Sequence, residues 1–319
     1  DDNVMWQIPS AGAIDFSGCE VVVTEKLWNS RVAAVSIEPR VVAASFADGK
    51  LTYWASSQGT HDFRDGTAKY LGMDPADVRV LVKDVGGGFG AKGMVSEEEV
   101  IVGQLARLIG RPVRWVESRT ENLSAYVHGR AQAQTVTIGG TRDGRVTHYR
   151  LDVVQDCGAY PKWGAFLPEF TRQLASGVYD IANLEFSAVS VATNTAPTCA
   201  YRGAGRPEAT AAIERAMDLF AAEVGMDVAD VRRVNLLASE AFPYTTPTGT
   251  SMDSGDYEGS LDRALAAVDY AGLRAEQKRR REAGDPVQMG IGVATYVEIT
   301  GFGGSEYGEV RLRSDGTVL

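Results

Sequence analysis

The segment Gly86-Gly87-Gly88-Phe89-Gly90-Ala91-Lys92-Gly93 decides how the rest of the chain is read, because four of its first five residues are glycine. Glycine leaves the backbone N–H unshielded and tolerates positive φ, so such a run lets the main chain approach an anionic group closely. Residues 78–85, with valine at 78, 80, 82 and 85, predict a strand leading into the glycines, and 97–109 predict a helix stopped by Gly110. A helix starting near Ser96 would add partial positive charge beside the loop, favouring phosphate, sulfide or oxo groups. The plainer reading is a tight strand-to-helix turn that holds nothing.

Gly88, Gly90 and Gly93 also satisfy G-x-G-x-x-G, and Glu117 lies 24 positions beyond Gly93, at the end of a predicted strand 113–116. A dinucleotide-binding Rossmann oxidoreductase would use an acid there for its ribose. The hairpin-rich sequence before the motif opposes this, as does the loss of strand–helix alternation after residue 130.

Outward from the glycines, residues 20–24, 31–37, 41–46 and 50–54 read as antiparallel strands, and 60–71 as a helix ended by Gly72. Residues 132–138 and 146–154 flank Asp143-Gly144 as a hairpin, and 184–193 is a further strand. Pro207 opens a helix that runs to 224 and stops at Gly225; 227–237 is helical, and 260–283 reads as two helices broken near Gly272. Residues 290–299 and 307–312 return to strand. The turn at Asp315-Gly316 leads into an apolar run at 317–319, which suggests a strand begun and a natural polypeptide that continues.

Composition narrows the classes of function. A net charge of -10 from 42 acids and 32 bases disfavours nucleic acid as a partner. The apolar stretch 211–224 is interrupted by Glu214, Arg215 and Asp218, so no membrane span is expected. Residues 1–10 do not read as an export signal, which makes a cytoplasmic location the expectation. Cys19, Cys157 and Cys199 read as reduced thiols, with no C-x-x-C for an iron–sulfur cluster, and His61, His128 and His148 fit no metal-ligand spacing.

The second chemical feature is Ala200-Tyr201-Arg202-Gly203-Ala204-Gly205-Arg206-Pro207-Glu208, a loop delivering two guanidinium groups just before a helix. Arginine's planar fork of donors suits an oxyanion or a substrate; surface pairing with Glu208 is the bland alternative.

Together, Gly86 to Lys92 and Ala200 to Gly203 resemble the G-G-G-F-G-x-K and A-[FY]-R-G motifs in the large subunit of the xanthine dehydrogenase, aldehyde oxidase and carbon monoxide dehydrogenase family of molybdenum hydroxylases. That family carries a glutamine 31 residues before the motif phenylalanine, where Gln58 stands. The likeness covers residues 18–237 and continues more loosely to 319. It implies an α+β fold, the molybdenum-cofactor-binding domain with mixed sheets and packed helices. Residues 1–240 would be its first part, and 241–319 a helical linker and the incomplete start of a second cofactor-binding subdomain. The implied cofactor is molybdopterin with Mo, in its cytosine dinucleotide form, without a protein ligand to the metal. Gln58 would donate its side-chain amide to the apical oxo group. The backbone of Gly88, Phe89 and Gly90 would line the metal face, and Arg202 and Gly203 would close it, with Arg202 also orienting substrate or transition state. Lys92 is equally readable as structural, and Tyr201 as packing.

The resemblance further implies hydroxylation of a carbon with oxygen from water, with electrons leaving through 2Fe-2S clusters to FAD on partner subunits or domains. Relatives that oxidise xanthine have a glutamate at the position of Gly93 and a phenylalanine at that of Ala204, so a purine is disfavoured. Copper-dependent carbon monoxide dehydrogenases have a cysteine where Gly203 stands, so the chain resembles the non-copper forms, whose small-molecule substrates include aldehydes and nitrogen heteroaromatics. The family's glutamate base lies in a G-x-G-E segment absent here; Glu97, Glu98, Glu99 and Glu309 are out of order and read as solvated faces. This chain alone is therefore not expected to turn over, and the remainder of the molybdenum subunit would complete the site. A non-catalytic cofactor-binding module is the other reading.

Overall fold

The computed structural model describes residues 3–298 and 308–318. Its strands are β1 (Val4–Ile8), β2 (Val21–Asn29), β3 (Val32–Ala33), β4 (Val41–Ala47), β5 (Lys50–Ala55), β6 (Val78–Leu81), β7 (Val113–Val116), β8 (His128–Gly129), β9 (Gln132–Gly140), β10 (Val146–Asp156), β11 (Asn183–Val191), β12 (Tyr244–Thr245) and β13 (Ser251–Met252). Its helices are α1 (Thr60–Leu71), α2 (Glu97–Ile109), α3 (Arg119–Ser124), α4 (Leu167–Gln173), α5 (Arg206–Val224), α6 (Val228–Asn235), α7 (Tyr257–Ala267) and α8 (Tyr270–Glu282).

Two sheets organise these elements into an α+β fold. The first has the order β6-β5-β4-β7. Alternation along β4 and β5 turns Val42, Ala44, Leu51 and Tyr53 inward, onto Phe63 and Ala68 of α1 and Val102 and Ala106 of α2. The second has the order β1-β11-β10-β9-β2. Its inner face, including Val136, Ile138, Tyr149 and Leu151, packs on Ala212, Ile213, Ala216, Met217 and Phe220 of α5, which recur at helical spacing on one side of that helix. Pro207 in the first turn and a left-handed Gly225 at the far end set the limits of α5.

The predicted strands before the glycines divide between the two sheets: β2 pairs with β9 whereas β4 pairs with β5, a partition that side-chain alternation cannot encode. The strand expected over 78–85 stops at Leu81. The break expected near Gly272 lies instead at Asp269, whose φ of +48° ends the turn and whose carboxylate accepts from the Gly272 N–H, so the glycine falls inside α8. Residues 290–298 form no strand; Thr295 donates to Glu214 at 2.6 Å, and Val293 and Val297 pack on the core, so side-chain contacts hold this segment where a ladder was expected. Of the expected strand 307–312, residue 307 lies outside the described residues, and the remainder makes only an isolated bridge between Leu312 and Val318.

The topology overturns the dinucleotide reading. β6 is an edge strand parallel to β5, and β7 runs antiparallel to β4, so no parallel strand follows the glycines across a crossover. Glu117 is buried and committed: it accepts from the Arg40 backbone N–H at 2.9 Å and guanidinium at 2.6 Å, and from Asn122 Nδ2 at 2.9 Å. Arg40 in turn lies over Tyr126, with its carbon 3.9 Å from the ring centroid. Removing one partner of such a pair leaves a buried charge uncompensated. Glu117→Ala should therefore lower the unfolding free energy by about 3–5 kcal/mol, read as a fall in the urea midpoint at unchanged slope.

Candidate cofactor-binding site

The glycine run leaves β6 as an irregular loop tied first to Glu38. Gly86 donates its N–H to Glu38 Oε2 at 2.8 Å, and the Glu38 N–H reaches Gly86 O at 3.1 Å. Positive φ at Gly87 (+99°), Phe89 (+54°) and Gly90 (+96°) then curls the chain into a short turn at Ala91–Gly93. Close packing, as well as ligand access, explains the glycines. A Cβ at Gly88 would lie 2.4 Å from Gln58 Oε1, and one at Gly90 would lie 2.9 Å from Ala200 O.

Gln58, in the loop after β5, closes this turn. Its Oε1 accepts from the N–H groups of Gly90 at 2.8 Å and Lys92 at 3.2 Å, while its own N–H reaches Lys92 O at 3.0 Å. Two backbone donors on one oxygen fix which end of the amide faces inward. Nε2 is thereby left as the outward end of an exposed residue, with no acceptor among the described residues. Gly90, expected to offer its own backbone to a ligand, spends its N–H on Gln58. Lys92 is buried and structural: Nζ donates to Ser56 Oγ at 2.6 Å and Glu38 O at 2.9 Å.

The second loop meets the first directly, for the Arg202 N–H donates to Phe89 O at 2.9 Å. Gln58, Phe89 and Arg202, far apart in sequence and all exposed, are thus joined in one knot. Positive φ at Gly203 (+96°), Ala204 (+34°) and Gly205 (+86°) carries the chain into α5, whose N-terminus has no side-chain cap. The dipole nearest this face is therefore that of α5. The α2 terminus, expected to serve, is answered by its own Ser96–Glu99 capping box and by Glu97 and Glu98. Glu99 is correspondingly buried rather than solvated, and Glu98 pairs with Arg40 at 2.7 Å. Arg206 pairs with Glu298, and the Arg202 guanidinium has no acceptor among the described residues.

Sequence reasoning missed the supports beneath this loop. Arg130 donates to Tyr201 O at 2.9 Å and Arg202 O at 2.7 Å, lies 4.9 Å over the Tyr201 ring, and faces Glu208 at 3.4 Å. Burial pushes the Glu208 carboxyl above its ordinary range, against the opposing charge of Arg130. Beneath Arg130 run the buried glutamines 132, 134 and 155, of which Gln132 Nε2 reaches Gln155 Oε1 at 3.1 Å and Gln134 Nε2 reaches Gln132 Oε1 at 2.9 Å. Gln132 and Gln134 stand on the inward register of β9, so polar residues at core positions were the available signal.

The knot leaves a set of donors, Gln58 Nε2, the Arg202 guanidinium, and the N–H groups of Gly88, Phe89 and Gly203, none with an acceptor among the described residues. Successive N–H groups in positive-φ turns make anion-binding concavities. This set fits a cofactor that presents oxo, sulfido or phosphate oxygens, and no group of three or more His, Cys, Asp or Glu among the described residues is arranged to ligate a metal directly.

The α+β domain thus joins a glycine turn, a locked glutamine and an arginine loop through direct hydrogen bonds. The family model described as the molybdopterin cofactor-binding domain matches residues 2–236, and the chain belongs to that family. It is 36% identical over 310 residues to the carbon monoxide dehydrogenase large chain of Hydrogenophaga pseudoflava, covering 94% of this chain and 39% of that one. It is 33% identical to the nicotine 6-hydroxylase large subunit of Paenarthrobacter nicotinovorans, covering 92% and 36%. The crystal structure of quinoline 2-oxidoreductase from Pseudomonas putida 86 superposes with a TM-score of 0.84 at 29% identity, covering 88% of this chain and 37% of that one. The chain thus spans about 40% of the length of these curated relatives.

Glu38 gives the glycine loop a pH dependence. Partial burial opposes its ionisation, but hydrogen bonds from Ser56, Gly86 and Lys92 outweigh that and hold its carboxyl below the usual range. A lowered folded pKa means that its stabilisation is complete above the ordinary carboxylate range and is lost as pH falls through the lowered value. Glu38→Gln should accordingly flatten the acid limb of stability against pH, measured by thermal unfolding between neutral and strongly acidic pH; an acid limb identical to that of the parent would contradict this.

Proposed function

We propose that this chain is the first part of the molybdopterin-binding, catalytic subunit of a molybdenum hydroxylase that oxidises an aldehyde or a nitrogen heteroaromatic, with water as the oxygen source. The observation that carries this reading is the knot joining Gln58, Phe89 and Arg202, with its outward donors and no protein metal ligand. When bound, the cofactor would supply the redox centre and the activation of water.

The chain's own residues have separable tasks. Gln58 Nε2, held by the grip of Gly90 and Lys92 on its oxygen, would donate to an oxo oxygen. The N–H groups of Gly88, Phe89 and Gly203 would hold further oxygen or sulfur atoms in a site where such dipoles need no reorganisation. Arg202 is the residue proposed to orient substrate and stabilise the negative charge that develops on it. The cytosine dinucleotide form of the cofactor, partner subunits bearing FAD and 2Fe-2S clusters, and a cytoplasmic location belong to the same reading. So do a glutamate base on the remainder of the subunit and a division into residues 1–240 and 241–319. Gly203 in place of a copper-binding cysteine supports the non-copper form. At Gly93 a side chain would meet open space, so the lack of a purine-binding glutamate is a matter of sequence and not of room.

The test is to express the longer subunit with its partners and measure molybdenum, pterin and dye-linked oxidation of aldehydes and heteroaromatics. Gln58→Ala should lower pterin-bound molybdenum severalfold, and Arg202→Ala should lower turnover by roughly 100-fold or more, as loss of a charge-stabilising donor does. An assembly that binds pterin yet oxidises none of these substrates would establish a non-catalytic module instead.

A further inference from the structure

We propose that Arg130 is the positioning residue of this face: by holding the carbonyls of Tyr201 and Arg202 from behind, it turns the Gly203 N–H toward the bound group. The proposal rests on the molybdopterin reading.

The argument is the geometry of the trans peptide, in which C=O and N–H point to opposite sides. Arg130 Nη1 donates to Tyr201 O at 2.9 Å, and the N–H of that same peptide, from Arg202, emerges on the far side to meet Phe89 O at 2.9 Å. The next peptide is held in the same way, with Arg130 Nη2 on Arg202 O at 2.7 Å. Its N–H, from Gly203, must likewise emerge away from Arg130, and it has no acceptor among the described residues. A planar guanidinium can hold two consecutive carbonyls through separate nitrogens; an ammonium is a poor substitute for that fork.

Arg130 is itself fixed. It is 9% exposed, and its backbone, with φ at +63°, is followed by Ala131 at +68°, strained values for side-chain-bearing residues. Gln155 Nε2 donates to Arg130 O at 2.9 Å, and Gln132 Nε2 continues the chain of bonds to Thr171 Oγ1 on α4 at 3.0 Å. Its contact with Glu208, at 3.4 Å, is longer than those with the two carbonyls, which are therefore its primary partners. Glu208 balances the buried charge.

The test uses the full-length subunit with its partners, comparing Arg130→Met and Arg130→Lys with the parent by amide hydrogen exchange, pterin and molybdenum content, and thermal unfolding. In Arg130→Met, exchange at Arg202 and Ala204, whose N–H groups are bonded to Phe89 O and Tyr201 O, should accelerate about tenfold or more, as local opening without global unfolding allows, and pterin content should fall. Arg130→Lys should restore both in part. Parent-like exchange and pterin content in Arg130→Met would overturn the proposal, as would protection lost evenly across β9 and α5, which marks mere core support. If Arg130→Met does not fold, Arg130→Lys decides, since unchanged exchange at Arg202, whose N–H is bonded to Phe89 O, overturns the assignment. A parent that holds no pterin would sink the molybdopterin reading, while exchange at Arg202 and Ala204 would still report whether Arg130 holds the loop.

Discussion

The site depends on one constraint, the direct hydrogen bonding of two loops that rise from different layers. The glycine turn follows β6 of the four-stranded sheet, and the arginine loop leads into α5, which packs under the five-stranded sheet. They meet where the Arg202 N–H reaches Phe89 O, and Gln58 closes the near side through Gly90 and Lys92. Because a Cβ at Gly90 would press on the Ala200 backbone and one at Gly88 on the Gln58 side chain, both glycines follow from this packing as much as from any ligand.

Buried polar groups hold both layers in place. Arg40 and Glu117 fasten the end of β7 to the start of β4, and Arg232, with no exposed side-chain surface, joins α6 to α5 through Glu214 at 2.8 Å. Tyr179 and Thr295 donate to the other oxygen of Glu214, at 2.6 Å each, which ties residues 290–298 to the same helix. Such pairs add little net stability over apolar packing, but each is costly to break, so they limit the arrangements the layers can adopt. The glutamine chain below Arg130 does the same work next to the site, where a change of a few tenths of an ångström in the loop would misaim its donors.

In the proposed function, the donors at Gln58, Phe89 and Gly203 would hold the cofactor and would not by themselves select a substrate. Positions 93 and 204 are small, a glycine and an alanine, and offer no large side chain that could wall a substrate.

Local sequence determined α1, α2 and α5 nearly to the residue, because glycine at a left-handed C-cap and proline in a first turn act within a few positions of where they stand. The family resemblance, and not local pattern, nominated Gln58, Phe89 and Arg202. Local pattern misjudged the C-terminal end of β6 and the break before α8, and it assigned residues 290–298 to a ladder, because strand limits depend on partners that lie elsewhere in the chain. Which sheet takes β2, that Glu117 belongs to Arg40, and that Arg130 stands behind Arg202 were decided only when the layers packed. Those are contacts across 77 residues for Glu117 and Arg40 and 72 for Arg130 and Arg202, and no local pattern of side chains specifies a partner at such a distance.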